Sequence, residues 1–389
     1  MLGLFAVSCS DDDNAGSKDD DNAGSKDDDA SSKKISISTV KTLTNMGTSP
    51  NQLLVDGDYA YTVASSDNVI MRLDLNDFTL NEKYIDLGEN ANPYAMTKDG
   101  EDIYIVNSMA NTLVKVNTSD PASITTLLTV SDGLNMPMDV LVKDGTVYVA
   151  NADYDESYQP HGRIAWLAAD GTKGVLEGFE TKNLTSLYTQ SDSSNLFVVS
   201  SGSFQYDENY TITSTLDSGI LIASLPMSLD ATTYLLKNED VGKLAFTRDG
   251  NQIFVGSSYS KTLHVLTRSG DDATPKYSAN SLSFGKDTGM LMPKTLDDTH
   301  VALIDFNSDS LYIIDMNDDD IKAWATSTEL VSQDMADKAR AAIEKTKFRF
   351  SESSFDRRGP ISMSWDPKRN QLLVLHSLSE TIDVLKIFE

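Results

Sequence analysis

One short pattern recurs seven times along the 389-residue chain, and self-repetition at a near-fixed period leaves few architectures open. The unit is a turn, an alternating apolar run, a tight turn, a second apolar run, and a third alternating run. The second runs read YAYTVASS (59–66), DIYIVNS (102–108), TVYVANA (146–152), NLFVVSS (195–201), QIFVGSS (252–258), HVALIDF (300–306) and QLLVLHS (371–377). Each follows a run such as PYAMTKDG (93–100) and precedes one such as NTLVKVN (111–117). Alternation rich in β-branched and aromatic residues suits strands packed between layers. Three or four short strands per period of about 40 to 50 residues is the signature of a β-propeller.

Turn chemistry agrees with this reading. Asp56-Gly57, Asp99-Gly100, Asp144-Gly145 and Asp249-Gly250 separate first from second strands, where a tight hairpin needs positive φ. Asp192-Ser193 and Asp366-Pro367 stand at the corresponding places of two other units. The last unit stops at its third strand, TIDVLKIFE (381–389), while KISISTVKTL (34–43) precedes the first unit unattached. The spacing therefore predicts an all-β, seven-bladed propeller over 34–389 whose last blade is closed by the N-terminal strand, which removes the exposed edges of an open array.

Ahead of the repeats lie two segments of another kind. Residues 1–9 read as the remnant of a secretory signal, an apolar run ending in small residues at Cys9, the one cysteine of the chain. A single cysteine forms neither an intramolecular disulfide nor a thiolate cluster. Residues 10–33 carry DDDNAGSK twice and then DDDASSK, with no large apolar side chain, and are expected to form a disordered acidic tether. The whole chain holds 32 basic against 59 acidic residues, a net charge of -27, which argues against nucleic acid or an anionic membrane surface as partner.

Three connections exceed turn length: Asp153 to Gly162, Gly202 to Ser218, and Thr328 to Gly359. The first two join second to third strands of adjacent blades and the third joins blade six to blade seven, so all three are expected on one face. The first offers Tyr154, Tyr158 and His161; the second offers Phe204, Tyr206 and Tyr210. Within the third, Val331, Met335, Ala339 and Ala342 or Ile343 recur at helical spacing, which predicts one helical insertion near 330–347 lying on that face. Beyond it come Phe348, Phe350, Phe355, Arg357 and Arg358, and the arginine pair suits an anionic group. Aromatic loop residues either contact a ligand or pin their own loops, and the arginines either receive an anion or pair with nearby aspartates. Ser65, Asn107, Asn151, Ser200, Ser257 and Ser377, at the ends of second strands, are expected to solvate the channel mouth.

Catalytic chemistry is not announced. The four histidines, His161, His264, His300 and His376, show no ligand-pair spacing, and His264 in an apolar third strand reads as a core histidine. No nucleophile elbow, zinc-protease helix or phosphate-binding loop occurs. The acidic run Asp318 to Asp320 reads as a solvated turn. No cofactor and no metal site is implied.

The stretches Tyr148-Val149-Ala150-Asn151 and Tyr104-Ile105-Val106-Asn107, the latter followed by Asn111 to Val116, resemble the YVTN repeat of seven-bladed propellers, the group that includes YncE-like and surface-layer proteins. FAVSC (5–9) resembles a bacterial lipobox, with Ala6 where that motif prefers leucine and no basic segment before it. CSDDD (9–13) is similar to the acidic export signal of some Bacteroidota lipoproteins, and an ordinary acidic linker reads the same way. These resemblances imply an outer-membrane lipoprotein, anchored at Cys9 on the periplasmic or the cell-surface side. It would be a monomer that acts as a non-catalytic scaffold for a small molecule or an envelope protein, nutrient capture included. Because propellers also serve as lactonases, a lactonase-like hydrolase using the loop face is the alternative.

Overall fold

The computed structural model describes residues 34–190, 194–208, 212–225, 232–269, 276–353 and 355–389. Seven four-stranded antiparallel sheets follow one another along the chain. Blades one to seven begin at the strands Pro50–Asp56, Pro93–Asp99, Pro137–Lys143, Leu184–Thr189, Leu244–Phe246, Leu291–Thr295 and Pro360–Asp366, which are innermost. The first strand of blade seven lies against that of blade one, so the sheets form a closed ring.

Period-two alternation explains how the ring is packed. Along one strand, Leu372 and Val374 face the cluster shared with blade six, while Leu373 and Leu375 face the one shared with blade one. Both sides of the inner strands are thus buried between neighbouring sheets, while outer strands such as Ile35–Leu43 and Asp120–Leu128 are largely exposed; each fully buried aliphatic side chain contributes about 1.5–3 kcal/mol. The Asp-Gly turns behave as expected: Gly57, Gly100, Gly145 and Gly250 take φ values of +58°, +57°, +74° and +67°. Asp192-Ser193 lies outside the described residues.

The N-terminal strand Ile35–Leu43 completes the seventh sheet. It pairs with Thr381–Phe388 from Ile35 opposite Phe388 to Leu43 opposite Ile382, interrupted by two register shifts. Side chains reinforce the seam, because Lys34 pairs with Glu389 at 2.8 Å and Thr42 donates to the Asp383 carboxylate.

Polar side chains on the inner strands occupy the channel, where edge N–H and C=O groups need partners. Gln52 bonds the backbone of Met96, Asp139 accepts from Leu187 N at 2.8 Å, and the Ser362 and Ser364 hydroxyls accept from Leu53 N and Val55 N. Lys243 reaches Ser186 at 2.8 Å. The cavity lined by Tyr188, Lys243, Met292, Lys294 and Ser362 measures about 20 Å³, room for a single water.

The insertion departs from expectation in number and in place. Two helices, α1 (Asp319–Thr326) and α2 (Gln333–Glu344), stand between the third strand of blade six and its two-residue fourth strand, Phe348–Arg349. In an antiparallel meander, third-to-fourth connections open on the side opposite to second-to-third and blade-to-blade connections. The helices therefore do not share the face of the other two long loops. They fill the outer wedge left by the shortened fourth strand: Ile321, Trp324, Ala339, Ala342 and Ile343 bury against Leu263, Val265 and Leu282 of blade five and Tyr312 and Ile314 of blade six. The run at 318–320 is a helix start and not a solvated turn, since Asp318 caps α1 by accepting from Asp320 N and Ile321 N. Acidic residues in that first turn complement the helix dipole. No helix among the described residues is long and apolar enough to cross a membrane.

Candidate binding face

Second-to-third and blade-to-blade connections alternate around one rim of the ring. The connection of blade three, 152–162, folds back as a small hairpin through a bridge between Tyr154 and Pro160. Asp155 holds its tip: one carboxylate oxygen accepts from Ser157 N and Gln159 N at 2.8 and 2.9 Å, and the other faces His161 Nε2 at 3.2 Å. These contacts, the Gln159 amide foremost, keep the Asp155 carboxyl below the usual carboxylate range. Tyr158 takes a φ of +58° at the tip and leaves its side chain 83% exposed. Tyr154 turns inward; burial, and then the nearby Tyr206 phenol, push its pKa up.

The connection of blade four is a second hairpin, Ser203–Tyr206 paired with Ile212–Leu216, standing beside the first. Phe204 packs edge-on against Tyr259 of blade five with ring centroids 6.2 Å apart, which anchors the base of the hairpin. Tyr206 is 55% exposed. Lys182, from the preceding blade-to-blade connection, pairs with Asp217 at 3.0 Å. Tyr154, Tyr158, His161, Phe204 and Tyr206 are thus brought to one sector of the rim, over blades three to five. Tyr210 lies outside the described residues.

The remaining candidates sit across the ring, and their surroundings differ from those of a free recognition site. Phe348 meets Phe350 edge-to-face at 5.5 Å and packs against the core between blades six and seven. Arg357 lies over the Phe306 ring at 5.2 Å and donates to the Phe306 carbonyl. Arg358 bonds Asp383 at 2.6 Å, while its amide and that of Gly359 donate to Asp309. Arg357 thus ties the connection into blade seven back to blade six, and Arg358 ties it to the closed blade. His376 is fully buried beside Asp383 at 3.1 Å, and burial pushes its pKa down. Burial opposes ionisation of Asp383, yet His376, Thr42 and Arg358 outweigh it and hold the carboxyl below its ordinary value.

The remaining histidines have separate roles. His264 is buried, bonded to Ser281 at 2.8 Å, and burial lowers its pKa to about 4. His300 pairs with Asp297 at 2.8 Å and tilts against Phe388. Among the described residues no three His, Cys, Asp or Glu side chains converge as a metal ion would require.

Three of the polar residues at second-strand ends act as staples, while Asn107 and Ser257 bond Thr112 and Thr262 of their own blades. Ser65 donates to the Pro93 carbonyl of the next blade, Asn151 accepts from Asn135 N at 3.0 Å, and Ser200 donates to the Lys182 carbonyl. Each fastens a blade-to-blade connection onto the rim.

Two features escaped sequence reading. Of the twelve exposed large hydrophobic residues among those described, eight lie in these rim connections: Met109, Val130, Met136, Tyr158, Tyr206, Leu216, Phe355 and Leu378. Opening beside the 152–162 hairpin is a groove of about 550 Å³ lined by Val130, Asp132, Arg163, Lys173, Val175 and Glu177. Arg163 links the two, 3.4 Å from both Asp153 and Glu177. Gly174 supports the groove floor, because a Cβ there would stand 2.3 Å from the Trp166 ring. A charged residue opening an otherwise apolar third strand was the available signal; the opposing wall, from 130–133, carries none.

No protein-family model matches the chain, and comparison with curated proteins finds no match. Solved structures do resemble it in shape. A streptogramin B lyase is 12% identical with a TM-score of 0.62, covering 91% of this chain and 98% of its own. A catalytically inactive virginiamycin B lyase from Staphylococcus aureus with quinupristin is 11% identical with a TM-score of 0.63, covering 91% and 99%. The Cps50 (Swd1) β-propeller domain of Myceliophteria thermophila is 9% identical with a TM-score of 0.61, covering 90% and 99%. At such identities the likeness concerns the fold alone, and that fold is the seven-bladed β-propeller.

Proposed function

We propose that this propeller is a non-catalytic interaction scaffold that engages its partner through the rim built by the second-to-third and blade-to-blade connections. The observation that carries the reading is the concentration there of eight of the twelve exposed large hydrophobic residues among those described. Exposed apolar area gathered on one face marks an interaction site, whereas scattered residues do not. The cavity among the inner strands at Tyr188, Lys243 and Ser362 has room for a single water.

The sequence before residue 34 supports placing this scaffold at the cell envelope as a lipoprotein, with Cys9 as the lipidated residue and the acidic stretch 10–33 as a tether. YncE-like membership belongs to the same reading, carried by the YVTN-like stretches of blades two and three.

Photo-crosslinking side chains placed at Tyr158, Tyr206 or Phe355, and at the opposite-face turn positions Asp99 and Asp144, test the assignment in envelope preparations. A discrete adduct from the rim positions alone is expected. Equal labelling from both faces would refute it, as would turnover of a lactone panel that these rim substitutions abolish.

A further inference from the structure

We infer that the sector of the rim over blades three and four docks a cationic polypeptide segment, a lysine- and arginine-bearing stretch of a partner protein. The inference rests on the scaffold reading above and adds the chemistry of the partner. Its basis is an apolar and aromatic surface: Tyr158 and Tyr206 stand out from two neighbouring hairpins, Leu216 is exposed on the second, and Tyr154, partly buried, lies near Tyr206. Tyrosines presented on stapled hairpins offer large contact area at little cost in side-chain entropy, the usual composition of an interface centre.

Charge selects the occupant. Asp155, Glu156, Asp207 and Glu208 are exposed around these tyrosines. Of the nearby cations, Lys182 is paired with Asp217 and Arg163 sits between Asp153 and Glu177. His161 faces Asp155. The sector therefore presents phenol rings inside a negative border, which repels an acidic segment and attracts guanidinium and ammonium groups, with cation–π contact to the rings. The chain's net charge of -27 adds a long-range field of the same sign. The tip of the first hairpin is fixed by the Asp155 staple and the base of the second by the Phe204–Tyr259 contact, so the surface is held in place before it binds.

The test is fluorescence anisotropy with a short labelled peptide of alternating Arg and Gly, against the same peptide with Glu for Arg. Saturable binding of the Arg peptide alone is expected, weakening at least tenfold between about 50 mM and about 500 mM NaCl. The variant Asp155→Asn/Glu156→Gln/Asp207→Asn/Glu208→Gln should lose about tenfold in affinity at low salt. Neutralising four acids elsewhere, Asp99→Asn/Glu101→Gln/Asp144→Asn/Asp170→Asn, should change it less than twofold. Tyr158→Ser/Tyr206→Ser should weaken binding at both salt concentrations. Equal losses in the two neutralised variants would mean that bulk charge alone attracts the peptide and would overturn the proposal, as would equal binding of the Glu peptide. Should rim crosslinking succeed while the Arg peptide fails to bind, the scaffold reading survives and the cationic partner does not. Circular dichroism melts of every variant exclude unfolding as the cause.

Discussion

Replacing Arg358 by alanine probes the seam where the ring closes. Its guanidinium lies 2.6 Å from Asp383, a carboxylate that is only 1% exposed and joins four segments: Thr42 of the N-terminal strand, His376 of the second strand, its own third strand, and the 350–359 connection. Removing one partner of a fully buried pair costs about 3–5 kcal/mol, because the other charge is stranded. Arg358 is 33% exposed, and water already screens part of the interaction, so about 2–3 kcal/mol is the working figure. With an unfolding entropy of about 2.1 cal/mol/K per residue over about 350 folded residues, this becomes a fall in Tm of about 3–4 °C. The pH dependence has a defined sign. The Asp383 pKa is depressed in the folded state, so its contribution is present above the unfolded value near 3.8 and lost as pH falls through the lower folded value. The gap between wild type and variant should accordingly be largest near neutrality and close below about pH 4. Calorimetry of Arg358→Ala, Asp383→Asn and the double variant forms the cycle, in which the double variant should recover at least half of the Arg358→Ala loss. Additive losses would show that the two groups do not depend on each other, and the account of the seam would fall.

Other expectations follow from burial. The His264 pKa falls from 6.5 to about 4 on folding, so stability should be full above pH 6.5 and decline by up to about 3 kcal/mol as pH drops toward 4. In His264→Asn that slope should shrink without vanishing, since buried His376 titrates with the same sign, and urea titrations at several pH values measure it. Trp324→Ala should cost about 3–5 kcal/mol, because the indole is fully buried where α1 and α2 stand in for a full fourth strand. An unchanged urea midpoint would mean that the helices merely decorate the outside of the blades. Deleting residues 34–43 exposes the edge of Thr381–Phe388 and removes the packing of Ile35, Ile37 and Leu43, a loss of about 5 kcal/mol or more that should appear as aggregation in light scattering.

The sequence by itself determined the number of blades, the hairpins within them, and the closure by residues 35–43. These are matters of local periodicity: alternation fixes a strand, Asp-Gly fixes a turn, and an unpaired first strand and a missing last one complement each other. It also marked the span of α2, whose apolar stripe is local. It did not show that α1 precedes it, because Asp318 reads as a turn until an apolar wedge exists for Ile321 and Trp324 to fill. Nor did it show that the insertion belongs to a third-to-fourth connection, since the returning strand Phe348–Arg349 is two residues long and carries no pattern of its own. Arg357 and Arg358 are indistinguishable in sequence from a free anion fork; Asp383, Asp309 and the Phe306 carbonyl, supplied by other strands, decided otherwise. The rim's apolar surface and the groove at Arg163 likewise exist only once connections far apart in the chain are carried to the same side of the ring, where side-chain pairing depends on distance in space rather than on spacing in sequence.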